Sequence, residues 1–220
     1  MINATFKALG DVLSPEFRSI LLKAIGLTLA LFIAVLVGVE VLISWLTIFS
    51  WAWGDTLLAI GTGVFLVAAF FFLMPAVMAI FAGLFLDDVA ARVEQRHYPA
   101  DRVGVPLGGF KAVTTALQFA AVVLLVNLAI LPSVFFAFGA FVLVAANAYL
   151  LSREFFEMVA MRHMDVDAAR ALRKSNSPGV FASGFVPALL SLVPVLNLVV
   201  PLFAASYFVH IFKQVRASSP

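Results

Sequence analysis

The chain contains no cysteine and little charge. Without cysteine it can form no disulfide bond, thiolate nucleophile or thiolate metal site. This absence does not indicate a redox compartment, because a membrane protein core does not need disulfide bonds. Only 12% of its 220 residues are charged, whereas 64% are hydrophobic. A globule of this length could not bury so much apolar surface. The composition therefore predicts an all-α integral membrane protein.

The N-terminal segment lacks the pattern of a secretory signal. Its first nineteen residues include Lys7, Asp11, Glu16 and Arg18, and no small-residue cleavage site follows a short apolar region. We therefore expect this segment to be retained.

Motifs of the common enzyme classes are also absent. The sequence has no nucleophile elbow, phosphate-binding loop or zinc motif, and His97, His163 and His210 form no pair at metal-ligand helical spacing. The stretch DDVAAR, 87–92, is superficially similar to the acidic signature of membrane phosphatidyltransferases, but the later aspartates of that signature are missing. We therefore expect no enzyme activity, no cofactor and no metal site.

Long hydrophobic runs are what the sequence does contain. The blocks 20–49 and 57–86 have 30 residues each, and Lys23 and Glu40 are the charged residues within them. As helices they would be about 45 Å long, enough to cross a hydrocarbon core of about 30 Å when tilted. These blocks predict two long transmembrane helices.

Two further blocks, 112–152 and 175–212, have no Asp, Glu, Lys or Arg but are broken near the middle by Leu131-Pro132-Ser133 and Val193-Pro194-Val195. Each is predicted to form a helical hairpin. The arm 180–193 would be only about 21 Å long, so such arms are candidates for hemi-penetrating insertion rather than full crossing. We expect a single membrane domain, 1–220, with 1–19 as a cytoplasmic segment.

The basic residues fall on one side of this arrangement. The loop 50–56 and both hairpin tips have no Lys or Arg. By the positive-inside rule, the side that carries the basic residues should be cytoplasmic, together with both termini. The fourteen basic residues lie in the N-terminal segment with Lys23, in 87–111, in 153–174, and at Lys213 and Arg216.

Proline is concentrated in the last hairpin, at Pro187, Pro194 and Pro201, with Asn197 beside the turn. Each proline leaves a backbone carbonyl without its helical partner, which costs several kcal/mol in lipid unless protein or water satisfies it. One interpretation is a plain turn in which Asn197 caps the next helix. Another is a tip that lines a path, since helix starts inside a membrane are ready anion sites.

Three stretches resemble the CysZ-type sulfate permeases and the wider group of etoposide-induced-protein-like membrane proteins. The first is the C-terminal hairpin with its proline-leucine-asparagine turn, 193–197, followed by Pro201. The second is IFAGLFLDDVAARVE, 80–94, and the third is LSPEFRSIL, 13–21. In the third stretch Arg18 aligns with an arginine implicated in sulfate binding in the family. Glu154 and Glu157 depart from expectation, because a sulfate path would favour neutral or basic groups there.

This resemblance implies passive uptake of sulfate, or a related oxyanion, across the bacterial inner membrane for sulfur assimilation and cysteine biosynthesis. It also implies two transmembrane helices, two hemi-penetrating hairpins and a homo-oligomer that is hexameric or built from dimers. The expected partners are the oxyanion and membrane lipids, and no nucleic acid. The alternative function is a non-transporting scaffold or lipid-interacting protein of the same fold.

Candidate site residues follow from the chemistry of a dianion, which needs charge-assisted donors and helix N-termini to replace its water. Arg18, Ser14 and Lys23 are the predicted substrate-binding residues. Arg18 and Lys23 differ by about 140° around a helix, so they do not form one clamp within it. Arg18 could equally extend to lipid phosphates.

Candidates for a pore or gate are the polar or helix-breaking residues inside the apolar blocks. An ionisable residue such as Glu40 is costly in a membrane and is therefore a functional candidate, although it could also pair with a neighbour or lie near the far interface. The other candidates are Asn127, Asn197 and Pro194.

Overall fold

The computed structural model describes residues 1–45, 54, 56–57, 60–66, 86–136, 138–197 and 199–218. Every regular element in these residues is helical. The described part of the chain is thus all-α, as predicted, and two of its helices are long and apolar enough to cross a membrane. The first overlaps the predicted helix 20–49, whereas the second overlaps the first arm of the predicted hairpin 112–152 and not the predicted helix 57–86.

The chain divides into two compact units. Unit one contains Met1–Phe17 and Leu86–Pro220, and unit two contains Arg18–Phe85.

Unit two is described mainly through helix α2, Pro15–Trp45, which begins in unit one directly after Ser14. Proline suits the first helical position, because its missing N–H would have no partner there. The 31 residues of α2 span about 46 Å, and Phe17–Val39 is the first candidate membrane span. The second predicted helix, 57–86, falls largely outside the described residues, although 60–66 is helical.

Unit one is built from short and long helices around one core. We number the helix at 86–97 α3. The elements are α1 (Ile2–Val12), α3 (86–97), α4 (Gly109–Ile130), a 3₁₀-helix (Leu131–Phe135), α5 (Gly139–Met161), α6 (Val166–Ser175), α7 (Ser177–Leu190), the single-turn α8 (Pro194–Asn197) and α9 (Val200–Ser218).

The core of unit one lies where α5 packs on α7 and α9, and where α1 packs on α9. Phe208 of α9 stacks on Phe155 of α5 with ring centroids 6.3 Å apart, and Phe212 meets Phe156 edge to face. Burying an aromatic ring of this size stabilises a fold by about 1.5 to 3 kcal/mol. Helices α5 and α9 are therefore the centre of this unit.

The predicted proline breaks are present. The first is the 3₁₀-helix Leu131–Phe135, with Pro132 in its first turn, and the second is α8, which begins at Pro194. Between them α5 runs unbroken for 23 residues.

The arms on either side of these breaks differ in length. Helix α4 starts at Gly109, which has a left-handed φ of 60° that glycine adopts easily and other residues do not. The apolar stretch Gly109–Ser133 is the second candidate membrane span. Helix α4 begins three residues before the predicted block 112–152, because 109–111 are also helical. Helix α7 has only 14 residues. Hemi-penetration of the hairpins remains a prediction.

Candidate functional site

The three residues predicted to bind substrate lie in two different units. Ser14 belongs to unit one, where it is buried, and its hydroxyl has no hydrogen-bond partner among the described residues. Arg18 and Lys23 are exposed residues of α2 in unit two. Their part in substrate binding remains a prediction.

Of the pore or gating candidates, the structure describes one side chain. Asn197 is half-buried at the end of α8. Glu40, Asn127 and Pro194 lie within helices, but their side chains fall outside the described residues.

A basic cleft forms where α4, α5 and α6 meet, and it has a volume of about 400 Å³. Four cations and one carboxylate line it, so its lining is net positive. The residues that line it are Gln118, Ala121, Val122, Arg153, Glu157, Arg170, Arg173 and Lys174.

The carboxylate of Glu157 contacts three arginines that line this cleft. Its carboxylate is fully buried on α5 and accepts a hydrogen bond of 2.6 Å from Nε of Arg173. Nε of Arg153 lies 3.7 Å from Oε1 and Nε of Arg170 lies 3.7 Å from Oε2, while Arg170 also donates to Gln118. Glu157 is thus enclosed by three arginines and does not act as a free negative charge, contrary to what the sequence suggested.

A second cleft of about 300 Å³ lies beside the start of α7. It shares Arg173 with the basic cleft, and Ser177, Pro178 and Ser152 also line it. The first N–H groups of a helix have no partner one turn earlier, and together with the helix dipole they favour an anion. Arg173 and the start of α7 therefore offer donors of the kind that an oxyanion requires.

Gly184 fixes the position of α7 against α5. A Cβ atom at this glycine would lie 2.8 Å from Cβ of Ser152 and would overlap the carbonyl of Ala148. The two helix backbones therefore approach as closely as only glycine permits. This contact determines where the start of α7 sits relative to Ser152.

Both clefts lie within residues 4–201, which match the family model described as sulfate transporter CysZ/etoposide-induced protein 2.4. The chain belongs to this family. The resemblance predicted from the C-terminal hairpin is thereby confirmed. No curated protein sequence matches the chain significantly.

Sequence reasoning did not identify the basic cleft in this family member. The sequence links no residue of RALRK, 170–174, to an anion site, and Glu157 counts against an anion path there. The available signal was the i,i+4 spacing of Arg153 and Glu157 on one helix, which indicates an ion pair. The arrival of Arg170 and Arg173 from α6 depends on the tertiary fold.

A separate ionic network holds the loop after α3 to the end of α5. Glu94 is buried, accepts the N–H of Gly104 at 2.7 Å, and contacts Nε2 of His163 at 2.9 Å and the guanidinium of Arg162 at 3.6 Å. Burial raises the pKa of Glu94, but the hydrogen bonds from His163 and Gly104 and the charge of Arg162 outweigh it and hold the pKa below its ordinary value. Glu94 is therefore ionised in the folded protein at neutral pH.

A third polar cluster joins α1, α3 and α9. Buried Asp11 contacts His97 and accepts a hydrogen bond from Ser206, and His210 lies beside it. Burial raises the pKa of Asp11, but His210, His97 and Ser206 outweigh it and lower the pKa to about 2. The two histidines form no metal-ligand pair along the sequence, yet the fold brings them together around one carboxylate.

Proposed function

We propose that the protein is a permease for sulfate or a related oxyanion, which it passes down its gradient across the bacterial inner membrane into sulfur assimilation. The family match supports transport, and the apolar helices α2 and α4 support a place in the membrane. The observation that carries the proposal is the basic cleft that shares Arg173 with the start of α7.

The cleft has the chemistry to replace part of the water around a dianion. Arginine presents planar, charged donors that match the oxygens of an oxyanion, and charge-assisted hydrogen bonds are about twice as strong as neutral ones. Glu157 holds Arg153, Arg170 and Arg173 in position, so little side-chain entropy remains to be lost on binding. Weak, multi-donor binding of this kind suits a site from which the ion must also leave.

Uptake of radiolabelled sulfate into proteoliposomes tests the proposal. We expect saturable uptake above that of empty liposomes. Arg173→Gln should reduce the initial rate at least about tenfold, because a hydrogen bond to a charged group contributes about 1.5 to 3 kcal/mol. Arg173→Lys should retain an intermediate rate, because lysine keeps the charge but not the planar donors.

The matched control is Arg92→Gln, which removes an exposed arginine that lies on α3 and lines neither cleft. Its uptake should equal that of the wild type. Arg18→Ala tests the separate prediction that Arg18 lies at the entrance of the path. Equal initial rates of sulfate uptake for Arg173→Gln and Arg92→Gln would show that the basic cleft does not contribute to transport.

The alternative function is a membrane scaffold or lipid-interacting protein of the same fold. The basic stretch 170–174 favours this alternative to the extent that lipid phosphates can occupy it. If proteoliposomes that contain folded protein take up no more sulfate than empty liposomes, the result would support the scaffold function.

A further inference from the structure

The polar cluster of α1, α3 and α9 has the ligand set of a metal site. One ligand atom each from Asp11, His97 and His210 lies within 4.8 Å of the others. Oδ1 of Asp11 is 2.9 Å from Nε2 of His97, and Oδ2 is 3.6 Å from Nε2 of His210. In a tetrahedral site with bonds of about 2.0 Å to the metal, neighbouring ligand atoms are about 3.3 Å apart. Measured from the carboxylate oxygen nearest to each imidazole, the separations of 2.9 and 3.6 Å lie on either side of this value.

His210 provides an independent sign of a missing partner. Its side chain is 1% exposed, and among the described residues its Nε2 atom has no hydrogen-bond partner. Buried polar atoms without partners are rare, because their desolvation is not compensated. This nitrogen faces the Asp11 carboxylate, so a cation between them would satisfy both groups.

The surrounding hydrogen bonds are those that orient metal ligands. The hydroxyl of Tyr98 lies 2.8 Å from Nδ1 of His210, and the hydroxyl of Ser206 donates to Oδ2 of Asp11 at 2.7 Å. A ligating histidine usually donates its other ring N–H, and a ligating carboxylate is usually hydrogen-bonded in turn. With the Nδ1 proton donated to Tyr98, the Nε2 lone pair of His210 is available to a metal.

Basic groups near the cluster can move away from it. Arg96 lies 3.7 Å from Oδ1 of Asp11, but its side chain is 53% exposed and can turn into solvent. Lys7 and Lys213 lie over the ring of Tyr98, at 5.9 and 5.3 Å from its centroid, outside the ligand set. His97 is 21% exposed, which gives an ion a route to the cluster.

We propose that Asp11, His97 and His210 bind one divalent transition-metal ion of the zinc class, which fastens α1 and α3 to α9. Two imidazoles and one carboxylate favour zinc over magnesium or calcium, which prefer ligand sets made of oxygen alone. Three protein ligands leave the fourth tetrahedral position to water. His210 lies beyond the residues that match the family model, and the site is independent of the proposed transport cleft.

Zinc titration of the full-length, tag-free protein in detergent tests this proposal. The protein is first stripped with a chelator, binding is followed by isothermal titration calorimetry, and bound zinc is counted by mass spectrometry. We expect one zinc per chain. His97→Gln should weaken binding at least about 100-fold, since even loss of an outer-shell partner costs about 10- to 100-fold, and Ser206→Ala should weaken it about tenfold.

His163→Gln is the matched control, because His163 contacts Glu94 and lies outside the cluster. It should bind zinc as the wild type does. Zinc should also raise the melting temperature of the wild type and of this control, but not of His97→Gln, because a ligand that binds only the folded state stabilises it. Circular dichroism and gel filtration establish that each variant is folded. Absence of stoichiometric zinc from the wild type, or equal affinity in folded His97→Gln, would overturn the proposal.

Discussion

Glu157 is the residue on which the basic cleft depends, because three arginines meet at its buried carboxylate. Removing one member of a buried ionic group leaves the others without compensation, which costs about 3 to 5 kcal/mol. We therefore expect Glu157→Gln to lower the melting temperature in detergent by several degrees. Asp88→Asn, which neutralises an exposed carboxylate on α3, is the control and should melt as the wild type does. Equal melting of the two variants would show that the arginines find other partners or solvent.

Protonation of Glu94 should make the folded protein less stable at acid pH. Its pKa is lower in the folded chain than its ordinary value of 4.5, so its ionised form stabilises the fold above that value. This contribution should be lost as the pH falls below about 4.5 and through the lowered folded pKa. Thermal melts between about pH 7 and pH 3 should show a smaller acid loss for Glu94→Gln than for the wild type. Parallel curves for the two proteins would contradict this assignment.

Sequence spacing could predict only those residue contacts that lie within one helix. Arg153 and Glu157 are four residues apart, so their pairing follows from helical geometry. Asp11 and His97 are 86 residues apart, and their contact depends on how α1 and α3 meet α9. The basic cleft and the candidate metal site therefore required the tertiary structure.

At the scale of helices, the contact of α7 with α5 is sensitive to a single methyl group. Gly184→Ala would place Cβ against Ser152 and the Ala148 carbonyl, so the helices must separate, at a cost of about 1 to 3 kcal/mol. Gly179→Ala is the matched control on the same helix, because nothing lies within 4 Å of its Cβ position. We expect Gly184→Ala to melt clearly below Gly179→Ala. Equal melting temperatures would mean that α7 shifts without loss of packing.

Proline positions predicted where the two hairpins break, but charge-free blocks did not predict helix length. Pro132 lies in the first turn of the 3₁₀-helix and α8 begins at Pro194, where the breaks were predicted from proline. Helix α5 continues past the end of its block, Ser152, to Met161, and α9 continues past Phe212 to Ser218. The charged residues in these extensions are Arg, Glu and Lys, which are good helix formers. They mark the limit of apolar sequence and not the end of a helix.

At the scale of the whole molecule, composition predicted the class of protein and short motifs predicted the family. The hydrophobic blocks indicated a membrane protein, and candidate spans are present in α2 and α4. The proline-leucine-asparagine turn indicated the family that the family model confirms. Oligomeric state and ion selectivity depend on contacts between copies of the chain and on side chains from distant segments, which local patterns do not encode.

Orientation in the membrane is the whole-molecule property that the sequence predicts and that the missing cysteines make easy to test. Because the chain has no cysteine, a single introduced cysteine gives a unique label. Ser175→Cys lies at the exposed end of α6, within the basic region, whereas Ser50→Cys lies in the stretch 50–56, which has no Lys or Arg. By the positive-inside rule the first should face the cytoplasm and the second the outside.

Labelling with a membrane-impermeant maleimide should therefore modify Ser50→Cys only in right-side-out vesicles and Ser175→Cys only in inside-out vesicles. Solubilised membranes, in which both cysteines should react fully, control for burial of the thiol. Reaction of both positions from the same side would contradict the predicted crossings between them. Reaction of each position from both sides would mean that the chain inserts in two orientations, so that charge bias alone does not determine its topology.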